Sequence, residues 1–280
     1  GRYLAALEGL AADPEPMVVG AVLDSLNDVE RPFVPADLED EYAAYIRRAL
    51  RPALDRIGLR PRDGESETTT LVRPRLLLWL GDNGRDDEIR AFAEEQAAAF
   101  LADPDSVPPS VAGACLVLAS IDGTPEEFEA AKKRFEAAAT PTERARHLQA
   151  LGSFRDPAIV ERALDYAFSG PLRPNELFTI PASLTQTPAG SDRAYLWMAG
   201  NYGKLAERLP PEFMGFMPFF AGGCSAERLE SAQEFFADPE HQTTGTEQMV
   251  GRVAAQVDEC LALRAREGDT VRGFLEGAGS

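Results

Sequence analysis

The residues that could do chemistry are few. His147 and His241 are the only histidines, and they stand far apart, whereas a zinc peptidase needs two of them one helical turn apart beside a carboxylate, as in H-E-x-x-H. His147 opens "HLQAL" on an expected helix and His241 lies in the polar loop "DPEHQTTGTE". Both read as structural or surface side chains, so no metal site is expected in this chain. Cys115, Cys224 and Cys260 are equally dispersed. No disulfide framework or zinc-knuckle spacing can be written from them, and they read as three buried thiols in a reducing, cytoplasmic setting. "GGCSAE" at 222–227 lacks the second glycine of a G-x-S-x-G elbow. "GNYGKL" at 200–205 has Met198 where a phosphate loop needs its first glycine, and Leu205 where it needs Ser or Thr. Carboxylate runs such as "DLEDE" at 37–41 suit a solvated helix start. A helical-barrel glycosidase would need two carboxylates facing across a cleft, a pairing that sequence does not specify. No catalytic residue is assigned.

What remains is the scaffold. The chain has 280 residues and a net charge of −18, from 28 basic and 46 acidic side chains. Such a balance argues against nucleic acid, which needs a basic face, and against anionic membrane surfaces. The longest apolar run, "VAGACLVLASI" at 111–121, has core-helix length, short of the ~18 residues of a membrane span. No signal peptide is seen, and the opening Gly1-Arg2 suits a tag scar or a piece of a longer protein.

Helix signals recur almost without pause. "TPEE" at 124–127 and "TPTE" at 140–143 each place an N-cap threonine, a proline at the first helical position and a glutamate at the third. Asp156-Pro157 repeats the cap and the proline, and Val160, Ala163, Leu164, Ala167 and Phe168 then fall on one helical face. Helices are predicted near 3–12, 16–29, 36–58, 69–81, 86–102, 108–121, 125–138, 141–152, 157–169, 174–185, 190–207, 211–222, 225–237 and 245–266. The one β-branched run is "ETTTLVRP" at 67–74. Short helices joined by short turns predict an all-α fold, an α-solenoid or superhelix of antiparallel HEAT-like helix pairs, with residues 1–280 as a single domain. No strict repeat period appears.

Five stretches, in order along residues 36–266, resemble the C-terminal helical domain of the puromycin-sensitive and alanyl aminopeptidases, the gluzincin zinc peptidases. In "RAYLWMAGNYGKLAERLP" at 193–210, Ala194, Tyr195, Trp197, Asn201, Tyr202 and Leu205 match that family's pattern. "TPAGSD" at 187–192 is similar to its Asn-Pro-x-Gly turn, with Thr187 in place of Asn. The others are "LQALGSFRDPAIVERALDYAFSGPLRPNEL" at 148–177, the helix pair at 73–101, and "GGCSAERLESAQEFF" at 222–236. Where relatives often carry basic residues before the last stretch, this chain has Gly222 and Gly223, which removes a basic peptide-gripping group from that turn.

The resemblance implies a C-terminal piece of a longer enzyme whose H-E-x-x-H zinc site and Gly-x-Met-Glu-Asn motif lie in upstream domains. It implies no cofactor in this chain itself. Its partners would be the catalytic domain of the same polypeptide and peptide substrates, and its role would be to close the active-site cavity and control peptide access and length. It also implies that the turns at 184–190 and 219–225 face that cavity, which makes Gln186 and Ser191 the candidate substrate-binding residues. Gln186 would offer an amide, and the helix starting near 190 would offer unpaired N–H groups unless Ser191 or Asp192 caps them. Tyr195, Trp197 and Tyr202 are expected to be packing residues, with Leu196 and Trp197 on one packed face. The alternative is a free-standing α-solenoid that binds a protein or peptide along its groove.

Overall fold

The computed structural model describes residues 1–277, the side chain of Pro188 excepted, and among them every regular element is helical. Two compact units form, one from residues 1–156 with those from Gly268 on, the other from residues 157–267. The first unit holds α1 (Arg2–Ala11), α2 (Pro16–Phe33), α3 (Glu39–Ile57), α4 (Glu67–Gly81), α5 (Asp87–Ala102), α6 (Pro109–Ile121), α7 (Pro125–Ala137) and α8 (Pro141–Leu151). The second holds α9 (Pro157–Ser169), α10 (Thr179–Leu184), α11 (Pro188–Gly200), α12 (Tyr202–Arg208), α13 (Pro211–Met214) and α14 (Ala226–Ala237). The long α15 (Thr246–Gly277) starts in the second unit and supplies its last turns to the first.

The all-α expectation is borne out, and its local causes are visible. Thr124 accepts the Glu127 N–H at 3.3 Å while the Glu127 carboxylate takes the Thr124 N–H at 2.7 Å. Thr140 and Glu143 repeat this capping box at 3.2 and 3.1 Å. The β-branched run at 67–74 becomes helix because Ser66 accepts the Thr69 N–H at 3.2 Å and opens α4.

In the first unit the even helices form a row, α2 against α4, α4 against α6 and α6 against α8, while α1 packs on α2 and α3, and α3 on α4. Next-but-one packing of this kind is what stacked helix pairs produce. Leu23, Leu26, Leu76, Leu77, Leu80, Val111 and Cys115 lie in the resulting core. Close approach is bought with Gly81: a Cβ there would stand 2.8 Å from both methyls of Leu118 on α6. Arg73 is wholly buried on α4. Its guanidinium donates to both Glu65 oxygens and to the carbonyls of Gly58 (2.9 Å) and Ile57 (3.3 Å), tying down the loop between α3 and α4.

Several helix boundaries differ from those predicted. The stretch at 36–58 opens with a 3-10 turn at 36–38, and the one at 174–185 keeps only a 3-10 turn at 174–176 and the short α10. The segment predicted at 190–207 begins earlier, at Pro188, and breaks at Asn201, whose N–H is shared between Trp197 and Met198 carbonyls. The one at 211–222 holds only four α-helical residues, because Gly215 lies against the Thr244 carbonyl and Pro218 lacks a donor, and a 3-10 turn at 217–221 follows. Leu196 is exposed, so it does not share the packed face of Trp197.

Glu30, at the end of α2, is desolvated and lies beside Asp82, which together push its carboxyl up to about 7 against the opposing pull of Arg155, Asn83 and Arg31. A carboxyl raised on folding contributes stability that is complete below its unfolded range near 4.5 and is lost as pH rises through 7. Between pH 8.5 and 5.5 the wild type is therefore expected to gain roughly 2 kcal/mol from this group, and Glu30→Gln to lack that gain. Burial holds His147 below its ordinary value and acts in the opposite sense on acidification, so urea midpoints of both proteins across the range provide the check.

Candidate functional site

In the second unit α11 packs against α10, α14 and the 3-10 turn at 217–221. This brings together the two turns singled out in the sequence. Thr187 caps α11, its hydroxyl accepting the Gly190 N–H at 3.1 Å. Neither Ser191 nor Asp192 takes that place. Ser191 is buried, and its hydroxyl donates back to the carbonyls of Thr185 (3.2 Å) and Thr187 (2.9 Å), which closes the turn. Gln186 is exposed beside it.

Arg228, on the first turn of α14, joins the two turns. Its guanidinium pairs with Asp192 of α11 and donates to the Gly222 carbonyl at 2.7 Å, although Arg228 itself is nearly buried. Gly223 has φ of +115°, and a Cβ there would meet Arg228 Nη2 at 2.6 Å, so glycine is required. A basic group thus reaches this turn from α14 after all, and it is already matched by Asp192. Nothing in the sequence pointed to Arg228, since both its partners are distant or main-chain.

Cys224 and Cys260 correct the expectation of three thiols. They form a disulfide with a Cα–Cα distance of 5.5 Å, because folding brings the turn before α14 against α15, which no local spacing reveals. Cys115 alone is a free, buried thiol, pushed up to about 12 by burial.

The aromatic residues below the turns are packing groups, as expected. Trp197 is buried, stacks on Phe168 with centroids 5.0 Å apart, and donates to the Leu164 carbonyl at 3.2 Å. The Tyr195 hydroxyl bonds to Ser231 at 3.0 Å, and Tyr202 donates to the His241 carbonyl at 2.9 Å. His241 stacks on Phe235 with centroids 3.8 Å apart, so it belongs to an aromatic cluster rather than to a bare polar loop. One edge of the second unit stays apolar and open. Phe216 donates to Phe213 and Phe219 to Phe216 through successive i to i+3 backbone bonds (3.1 and 3.0 Å), which aligns three exposed phenylalanines. Among the described residues no group of three or more His, Cys, Asp or Glu could hold a metal ion, and no helix is long and apolar enough to cross a membrane.

The family model described as the ERAP1-like C-terminal domain matches residues 1–259. The chain belongs to this family. Aminopeptidase 2, mitochondrial, from Saccharomyces cerevisiae is 19% identical over 249 residues, covering 87% of this chain but 26% of that protein. Aminopeptidase M1-D and Aminopeptidase M1-C from Oryza sativa subsp. japonica are 24% and 23% identical, each covering 91% of this chain and 30% and 29% of the rice proteins. This ERAP1-like C-terminal domain therefore spans less than a third of the aminopeptidases it matches. The resemblance read from the five sequence stretches is borne out at the level of the family.

Proposed function

We propose that the chain is the non-catalytic C-terminal domain of a zinc aminopeptidase, closing the active-site cavity and controlling which peptides enter and at what length. The observation that carries this reading is the family match across residues 1–259. The partners are then the catalytic domain of the same polypeptide and the peptide itself. The helix pairs form a HEAT-like solenoid whose turns at 184–190 and 219–225 face the cavity. Gln186 presents its amide there, and Ser191 holds the turn in the shape that presents it.

The residues of this chain do not fit a zinc ion, since no ligand cluster exists among the described ones; zinc belongs to the upstream catalytic domain. The purified chain is expected to bind no stoichiometric zinc and to cleave no aminoacyl reporter. Elemental analysis showing one zinc per chain, or chelator-sensitive cleavage, would contradict the assignment.

The role in peptide selection has its own test. In the full-length enzyme, Gln186→Glu sets a like charge near the C-terminal carboxylate of a peptide long enough to reach this wall. KM for such peptides should rise about two- to fivefold, the range of an exposed charge interaction, while single-residue reporters stay unchanged. Equal effects on both substrate classes, or none on either, would leave these turns as mere helix joints.

A further inference from the structure

α15 is held unevenly. In the second unit Val253 and Val257 are buried on one of its faces, but between Val257 and Val271 no residue of the helix is buried. Leu261 and Leu263 are only half-buried there, and a helical stretch that fully buries none of its side chains gains little stability from packing. Cys260 lies inside this stretch, one turn beyond Val257, and its bond to Cys224 is the covalent anchor there. Both cysteines are partly exposed, so a thiol in solution can reach them. The partner side of the bond is independently fixed. The Gly222 carbonyl is held by Arg228, and the preceding 3-10 turn is seated by buried Met217, Phe220 and Ala221.

We propose that the Cys224–Cys260 bond is a reducible clasp that sets the order of residues 258–267 of α15 without governing the rest of the second unit. The chemistry is thiol–disulfide exchange. A thiolate of a dithiol attacks one cysteine sulfur, the Cys224–Cys260 bond breaks, and a mixed disulfide forms as the other cysteine leaves as a thiolate. The second thiol of the reductant then displaces the remaining cysteine, so two cysteine thiols and one cyclic disulfide result and two electrons pass to the protein. With the bond open, α15 frays over this thinly packed stretch, whereas Arg228 keeps the turn at 222–225 in place. In a reducing compartment the clasp stands open; in an oxidising one it is shut.

The purified chain itself tests this. Denatured without reductant, it should show one titratable thiol, that of Cys115. Hydrogen exchange followed by mass spectrometry should show amides of 258–267 exchanging at least about tenfold faster after dithiothreitol. Trypsin should then cut at Arg264 or Arg266, and Trp197 fluorescence should stay native. The double variant Cys224→Ser/Cys260→Ser should behave as the reduced protein and ignore the reductant. Three titratable thiols without reductant, unchanged exchange in 258–267, or loss of the native Trp197 signal on reduction would each overturn the proposal.

Discussion

Arg73→Met is expected to lower the stability of the first unit by roughly 3–5 kcal/mol, the cost of breaking a buried ion pair from one side. Methionine keeps much of the volume but donates nothing, so the Glu65 carboxylate and the carbonyls of Ile57 and Gly58 lose their common donor. The hydrogen bonds from Arg73 are also the main reason that the Glu65 carboxyl is held at about 2, with Thr70 and the Arg62 N–H assisting. A carboxyl lowered on folding contributes stability above its ordinary range near 4.5, and that contribution is lost as pH falls toward 2. The Arg73→Met deficit should therefore shrink on acidification. Urea denaturation followed through Trp79, the tryptophan of the first unit, measures both effects. Arg73→Met combined with Glu65→Met should recover a large part of the loss, because both partners are then apolar. A single variant as stable as wild type would mean that the loop between α3 and α4 is held by something else.

Trp197→Ala should cost about 3–5 kcal/mol in the second unit. The substitution removes the ring stacked on Phe168, empties a buried volume under α9 and leaves the Leu164 carbonyl without its indole donor. Trp197→Phe keeps the stacking surface and should lose clearly less, mainly the hydrogen bond. Melting curves by circular dichroism separate the two. An unchanged melting temperature for Trp197→Ala would remove the packing role assigned to this residue.

Much of the fold was legible because its helices are specified locally. Thr124 with Glu127 and Thr140 with Glu143 announce helix starts within four residues, and the apolar face of α9 appears in its own spacing. Features that depend on tertiary partners were hidden. Arg73 sits inside "TTTLVRPRLLLWL" with no mark that it is buried, since its carboxylate and carbonyl partners lie across a loop. α15 was expected to end near 266 but runs on to Gly277; Val271 and Leu275, one turn apart, are the apolar pair that carries it on, and only the first unit's core explains them. At the candidate site, the turns around Gln186 and Gly222 were found through resemblance, while the arginine and the disulfide that organise them were not.

The course of α15 bears on where the domain can be cut for expression. The family match stops at residue 259, and the boundary of the second unit falls at Glu267. Either would look like a natural end. Yet Val271 and Leu275 are buried in the first unit, and Phe274 meets Tyr45 edge-on at 5.9 Å, beside Gly1. A recombinant product trimmed at either point would leave an open apolar trough along α1 and α3, and it should reach the soluble fraction poorly even though every recognised family position is still present.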